Sequence, residues 1–369
     1  MRREPTLPAW GLKDLKASYV IKEQIGEGVY GKVHRAREDS TGETVALKRV
    51  KNDLTSEKEG FPITALREIQ ILLDLKHECI VPLREVAISD QERSVYLVFD
   101  YLEHDLNGLV ESTSCGLTEA HICCYMRQLV EGVAYMHSRS FLHRDIKASN
   151  LLISNDGHLK IGDWGLARRW DPTPNVSYTN RVITLWYRPP ELLLGAVRFD
   201  DGYGTAIDVW SIGCIIAELL HRKPILPGNT EMEQMKLIFD LLGSPTEAVW
   251  PGVERLPLWN TFGPREDDSD DEASDQPPAK PRVLRDRFSK FERHSLDLID
   301  DILVYCPKKR MSAQTALEHP YFRKAKQPHE LERHNVASAH EWEVRKRRNS
   351  RRGNADKSRE RPNGDAFAP

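Results

Sequence analysis

Between Tyr19 and Val50 the chain alternates short β-rich stretches with turns, whereas beyond Asp105 its apolar residues recur every three or four positions. This change of period constrains the fold more than any other feature. The first region reads YVIKEQI, KVHRAR, the turn DSTG and then ETVALKRV, which predicts successive strands. A helix is expected from about Pro62 to Leu75, where Ile63, Leu66, Ile69, Leu72 and Leu73 keep helical spacing and proline suits the first helical position. A strand is expected at Val95–Phe99. Helices are expected over 118–138, from about Ala206 to Leu242 and near Ser295–Tyr305. The fold class is therefore α+β, a strand-rich small lobe followed by a mainly helical large lobe, and 369 residues suffice for two lobes plus tails.

A net charge of −3 does not mark a nucleic-acid binder, and nucleic acid is not required by anything in the pattern. The six cysteines show no paired metal-ligand spacing, and the adjacent Cys123 and Cys124 fall in an apolar helical pattern that packs them. Thirteen histidines form no HExxH. No apolar run approaches the ~18 residues a membrane span needs, and no signal-peptide core opens the chain, so no membrane role and a reducing intracellular setting are expected. Residues 1–18 read as a leader. Residues 266–275 (EDDSDDEASD), followed by QPPAKP, read as a solvated acidic insert in which Ser269 and Ser274 precede acidic residues. Residues 323–369 read as a basic, unstructured tail whose RKRRNSRR cluster suits nuclear import, which points to the nucleus.

Gly26, Gly28 and Gly31 in IGEGVYGKV have GxGxxG spacing, which lets a backbone approach phosphate oxygens but equally opens a dinucleotide-binding unit. That alternative needs a helix directly after the glycines and an acidic residue ~20 positions on, whereas the strand-like KVHRAR follows here. VALK supplies Lys48, an ammonium for the α- and β-phosphates of ATP, and Glu68 in the following helix can pair with it. HRDIKASN at 143–150 supplies Asp145 to accept a substrate hydroxyl proton and Asn150 to bind Mg2+, and Asp163 in GDWG adds a second metal carboxylate. Taken singly, these are a solvated strand lysine, a charged surface tripeptide and a turn. In this order and at these separations they amount to phosphoryl transfer, which needs positioned charge and little covalent chemistry.

The motifs resemble the protein-kinase family over about residues 19–322, with an N-lobe of about 19–100 and a C-lobe of about 101–322. The resemblance implies that Glu191 of RPPELLLG pairs with Arg310 and that Asp208 of DVWSIGCIIAELL braces the catalytic loop. Lys147 acts beside Asp145, and with Thr184 marks a serine/threonine kinase. The nucleotide site is implied at Ile25, Gly26, Glu27, Gly28, Val29, Tyr30, Gly31, Lys32, Val33, Ala46, Lys48, Glu68, Phe99, Asp100, Leu102, Asp105 (at the ribose) and Leu152. His121 and His137 lie on the helical core pattern and read as structural.

PITALRE at 62–68 and YTNRVITLWYRPPE at 178–191 resemble the cyclin-dependent kinases, chiefly the transcriptional PITALRE-type kinase and the plant C-type group, whose basic ending SAHEWEVRKRRNSRR also resembles. That resemblance implies a T- or K-type cyclin that positions Glu68, an upstream kinase that phosphorylates Thr179, and Arg67, Arg144 and Arg168 as the phosphate-binding arginines. Arg188 would satisfy a carbonyl near Ile183, which favours a substrate proline because it has no N–H to leave unpaired. The implied substrate is a protein with Ser/Thr-Pro motifs, the heptad-repeat tail of RNA polymerase II. A cell-cycle or splicing-associated relative, and a kinase-like scaffold, are the alternatives. Trp164 stands where the family has phenylalanine, and Val29 where cell-cycle relatives carry threonine, so only Tyr30 of that pair can be modified.

Overall fold

The computed structural model describes residues 13–28, 31–50, 62–89, 91, 94–112, 116–173, 176–263, 280–332, 334, 338–344 and 346. Val29, Tyr30, the acidic insert with Ser269 and Ser274, and nearly all of the basic cluster lie outside them. The chain divides into two compact units. One draws on the ranges 1–51, 84–116 and 334–369, and the other on 52–83 and 117–333.

The first unit is built on a six-stranded sheet: β1 (Lys13–Asp14), β2 (Tyr19–Gly28), β3 (Gly31–Glu38), β4 (Thr44–Arg49), β5 (Leu83–Ser89) and β6 (Ser94–Asp100). They lie in the order β1-β5-β6-β4-β3-β2. Neighbours β2/β3, β3/β4 and β4/β6 are antiparallel, while β1 runs parallel to β5 with Lys13 opposite Ala87. Lys13–Ser18, part of the expected leader, thus belongs to the fold: Leu15 is buried, and the Lys13 ammonium sits 2.9 Å from both Glu38 and Glu85. Side chains alternate across β4, so Val45 and Leu47 enter a core with Tyr19, Ala36, Tyr96 and Val98, while Ala46 and Lys48 face the other way. Residues paired directly across antiparallel strands share a face, and Val33↔Lys48 and Ala46↔Phe99 are such pairs.

The second unit is helical. Its long helix Glu119–Ser138 starts at the Thr118 cap, whose hydroxyl accepts the His121 N–H. The region read as helical from Ala206 to Leu242 is two helices, Ala206–His221 and Glu231–Leu242, divided at Pro224–Gly228. Ala206–His221 is buried almost throughout, which is why its sequence is apolar on all sides rather than on one stripe. Two short antiparallel pairs, Leu151–Ile153 with Leu159–Ile161 and Phe141–Leu142 with Arg168–Arg169, hold the loops that carry the polar residues. Helix Ile63–Asp74 begins after Pro62, which takes the capping position rather than the first helical one. It packs against Trp164–Leu166 and Arg168–Arg169.

Candidate active site

In the second unit the octapeptide HRDIKASN forms a closed hydrogen-bond system. The Asp145 carboxylate accepts from the Thr184 hydroxyl at 2.9 Å and backbone N–H at 3.2 Å on Oδ1. On Oδ2 it accepts from Lys147 Nζ at 2.8 Å and Asn150 Nδ2 at 3.2 Å. Asn150 Nδ2 also donates to the Asp145 carbonyl, so its Oδ1 is turned away from these contacts and engages no other described residue. The Gly162 N–H donates to the Asn150 carbonyl at 2.8 Å, tying the GDWG turn to the same loop. Asp163 itself adopts φ +53°, a left-handed backbone uncommon for a residue with a side chain. An amide oxygen and a carboxylate are the hard oxygen donors Mg2+ takes, so Asn150 and Asp163 fit such an ion.

The loop is braced from below. Buried Asp208 accepts the backbone N–H of His143 at 3.0 Å and of Arg144 at 2.9 Å, and lies 3.0 Å from His137 Nε2. Burial works to raise its pKa, but the hydrogen bond and charge of His137 and the Arg144 N–H outweigh it and hold the carboxyl below the usual carboxylate range. His143 donates from Nε2 to the Gly162 carbonyl at 3.0 Å and accepts the Asp145 N–H on Nδ1 at 3.3 Å, which fixes its tautomer. Trp164 lies against it edge-on at 4.9 Å, is 1% exposed, and donates its indole N–H to the Ile161 carbonyl at 3.1 Å.

The following segment is equally tied down. Ile183 adopts φ +67°, costly for a β-branched residue, with its N–H donating to the Arg144 carbonyl at 3.0 Å. That turn presents its own carbonyl to Arg188, which donates from Nη2 at 3.0 Å and from Nε at 3.2 Å, while Arg188 Nη1 meets Glu231 at 2.7 Å. Glu191 and Arg310 form a two-bond pair at 2.7 and 3.0 Å with both side chains fully buried, and Arg310 donates further to the carbonyls of Val304, Tyr305 and Ala206. Thr179 is exposed. Arg67 lies on helix Ile63–Asp74, Arg144 donates from Nε to the Leu166 carbonyl at 2.8 Å, and Arg168 donates to the Ala167 carbonyl, also at 2.8 Å. The helix that carries Arg67 touches Arg168–Arg169 and also Trp164–Leu166, to which the Arg144 side chain is bonded.

Helix Ile63–Asp74 buries Ala65, Glu68, Ile71 and Leu72, and leaves Ile63 68% and Leu66 53% exposed. These two side chains, three positions apart, share one outward face of the helix.

In the first unit, register sets Gly26, Val33 and Lys48 on consecutive strands, and Glu27 opposite Lys32. Phe99 and Leu102 are buried, and the Asp100 side chain takes Arg84 Nε at 2.6 Å. Asp105 caps helix Leu106–Glu111 through Oδ1, at 2.7 Å from the Gly108 N–H. Its Oδ2 accepts the Glu341 N–H at 2.7 Å, and its own N–H donates to the Ala339 carbonyl at 3.2 Å. Part of the expected unstructured tail is therefore ordered: Ala339 and His340 are buried beside Asp105, and Ser338 meets the Tyr101 hydroxyl at 3.4 Å. Gly108 is required there, since a Cβ would lie 2.1 Å from the Ala339 oxygen.

The described cysteines, Cys79, Cys123, Cys124, Cys214 and Cys306, are buried and free. Burial pushes the Cys79 thiol up to about 12, so it packs rather than reacts.

The Protein kinase domain family matches residues 19–322. The chain belongs to the protein kinase family. This kinase chain is 47% identical over 356 residues to cyclin-dependent kinase C-1 of Arabidopsis thaliana, covering 92% of this chain and 67% of the relative. It is 47% identical over 330 residues to cyclin-dependent kinase C-2 of Oryza sativa subsp. japonica, covering 85% and 61%. It is also 46% identical over 350 residues to cyclin-dependent kinase 12 of Caenorhabditis elegans, covering 91% and 45%. The kinase chain thus spans about two thirds or less of the relatives' lengths. The kinase fold accounts for the α+β architecture. Among the described residues, no helix is long and apolar enough to cross a membrane.

The octapeptide at 143–150 makes Asp145 and Asn150 legible, the family resemblance adds Lys147 and Thr184, and the structure brings the four together. Neither gives Tyr203, which bonds Arg144 and Thr179, or the docking of 338–344. The only local signal for the latter was Ala339 and Trp342 amid charged residues.

Proposed function

We propose that this chain is a cyclin-dependent, proline-directed serine/threonine kinase that moves the γ-phosphoryl group of ATP to a protein hydroxyl. The Asp145 network carries the reading. A carboxylate fixed by four hydrogen bonds, with a lysine against one oxygen, is placed to accept the substrate hydroxyl proton as that oxygen bonds to γ-phosphorus and the bridging bond to ADP breaks. Mg2+, held by Asn150 and Asp163, neutralises phosphate charge when bound. By the family resemblance, Lys48, Gly26 and Gly28 serve the phosphates, and Ile25, Val33, Ala46, Phe99 and Leu102 serve the adenine.

Occupation of the Ile183 carbonyl by Arg188 supports proline after the target residue, because any other residue there strands an N–H. The outward apolar face of Ile63–Asp74 supports a cyclin, which acts on the helix that carries Glu68. Similarity to cyclin-dependent kinases C-1 and 12 supports dependence on a cyclin. The resemblance of PITALRE and of the basic ending to the transcriptional group is the support for a T- or K-type cyclin, the polymerase repeat tail as substrate and a nuclear site of action. Thr179 is the activating phosphosite.

The test compares phosphorylation of a polymerase-repeat peptide and its Pro→Ala variant by the cyclin-bound chain. At least tenfold preference for the proline peptide is expected. Equal rates would refute proline direction, and equal rates on a histone-type peptide would refute the polymerase assignment.

A further inference from the structure

We infer that Tyr203 is a positioning residue that aims the Arg144 guanidinium at Thr179 before any phosphate is added. Tyr203 is 0% exposed, on the turn before helix Ala206–His221. Arg144 Nη1 donates to its oxygen at 2.9 Å. A guanidinium only donates, so the phenol must send its own proton elsewhere, and it does, to the Thr179 carbonyl at 3.1 Å. The chain of bonds therefore runs in one direction, from Arg144 through Tyr203 to the Thr179 peptide.

The rest of the geometry fits that task. Arg144 Nε is committed to the Leu166 carbonyl, and Nη2 has no partner among the described residues and is not a sealed polar atom. Nη2 of a buried guanidinium is thus left for an incoming anion while Nε and Nη1 are anchored. The Tyr203 ring stacks on Tyr178 with centroids 5.1 Å apart and planes within 16°. The Tyr178 N–H donates to the Val197 carbonyl at 2.8 Å, and its hydroxyl accepts the Asp171 N–H at 2.9 Å. The Tyr203 hydroxyl thus holds the Thr179 peptide directly, while the threonine side chain stays exposed. A phosphate placed there meets a donor whose ordering has already been completed, which is how preorganisation strengthens binding.

This inference rests on Thr179 being the activating site, and the experiment separates the two. The cyclin-bound chain is prepared as wild type and as Tyr203→Phe, each with Thr179 phosphorylated by an activating kinase and each as Thr179→Ala. Phenylalanine keeps the ring, its stack on Tyr178 and the buried volume. The readout is the ratio of kcat/KM with and without the phosphate on a Ser-Pro peptide, taken within each variant so that a lowered folded fraction cancels. Tyr203→Phe is expected to reduce that ratio by roughly tenfold, the scale of one hydrogen bond to a charged group. Tyr178→Phe, which breaks the Asp171 bond and not the chain, is expected to leave the ratio within twofold. Removal of the Thr179 phosphate by a nonspecific phosphatase is expected to run several-fold faster in Tyr203→Phe, a readout independent of turnover. An unchanged ratio in Tyr203→Phe with unchanged phosphatase rates, or an equal drop in Tyr178→Phe, would overturn the role of Tyr203. A wild-type ratio of one would overturn the activation reading, and this inference with it.

Discussion

Asp208→Asn changes one atom type and no shape, yet it removes the support beneath the catalytic loop. The carboxylate holds the Arg144 N–H on Oδ1, and the His143 N–H and His137 on Oδ2. An asparagine can keep one oxygen. With that oxygen at the Oδ2 position two bonds survive, and the Arg144 N–H then faces an NH2 group. The loss is one charge-assisted hydrogen bond, about 1.5–3 kcal/mol, plus a stranded buried donor, about 1–3 kcal/mol. A total of roughly 3–5 kcal/mol matches what removing one partner of a buried charged group costs. Because His143 and Arg144 directly precede Asp145, the relaxation displaces the proton acceptor as well, and kcat is expected to fall on the order of 10²-fold. Denaturant unfolding and initial rates at saturating ATP, both on the cyclin-bound chain, read the two effects. The Asp208 pKa is held low in the folded state, so its contribution is full above the unfolded value of about 3.9 and is lost as pH falls through the folded value. Loss of the gap through titration of Asp208 itself is therefore expected only in acid below the ordinary carboxylate range. Stability within about 0.5 kcal/mol of wild type with kcat intact would refute the reasoning, since that is the effect of an unremarkable surface change. A gap that closes between pH 7 and pH 5 would assign the titration to another group.

Three further outcomes follow from particular contacts. Gly108→Ala gains about 1 kcal/mol of helix propensity but drives a Cβ into the Ala339 carbonyl, so residues 338–344 are expected to lose hydrogen-exchange protection while the sheet keeps it. Glu191→Gln leaves Arg310 charged and fully buried with its bidentate partner gone, and a loss of about 3–5 kcal/mol in denaturant unfolding is expected. Trp164→Phe removes the bond to Ile161 and part of a buried ring, so about 1–3 kcal/mol of stability should be lost and inhibitors that need this turn displaced should bind more tightly.

The sequence disclosed what is local. Asp145, Lys147 and Asn150 lie within six residues of one another, and their spacing alone places them on one loop. Helix Glu119–Ser138 announced itself through its period. What depends on distant partners left no such mark. Period alone shows Asp208 only as one acidic residue in an apolar helix, and its bracing of the His143–Arg144 turn was legible solely through the family resemblance of DVWSIGCIIAELL. Ile183 looks like an ordinary strand residue, and only the Arg144 carbonyl and Arg188 force its left-handed backbone. In Ile63–Asp74, periodicity located the apolar positions but could not separate the face that packs inside this chain from Ile63 and Leu66, which point outward. The tail misled for the opposite reason. Its charge argued against a core, whereas Ala339 and His340 dock chiefly through backbone hydrogen bonds, for which composition carries no signal.

The central claim is that Asp145 accepts the proton in ATP-dependent phosphorylation of a Ser/Thr-Pro protein. Its most direct test is transfer of labelled γ-phosphate to a polymerase-repeat peptide by the cyclin-bound chain, wild type against Asp145→Asn, with nucleotide affinity measured in parallel. Transfer is expected to fall by at least 10²-fold, the range general-base removal brings, with ATP affinity within a few-fold of wild type. Full transfer by Asp145→Asn, or none by the wild-type complex with its cyclin and Thr179 phosphorylated, would contradict it.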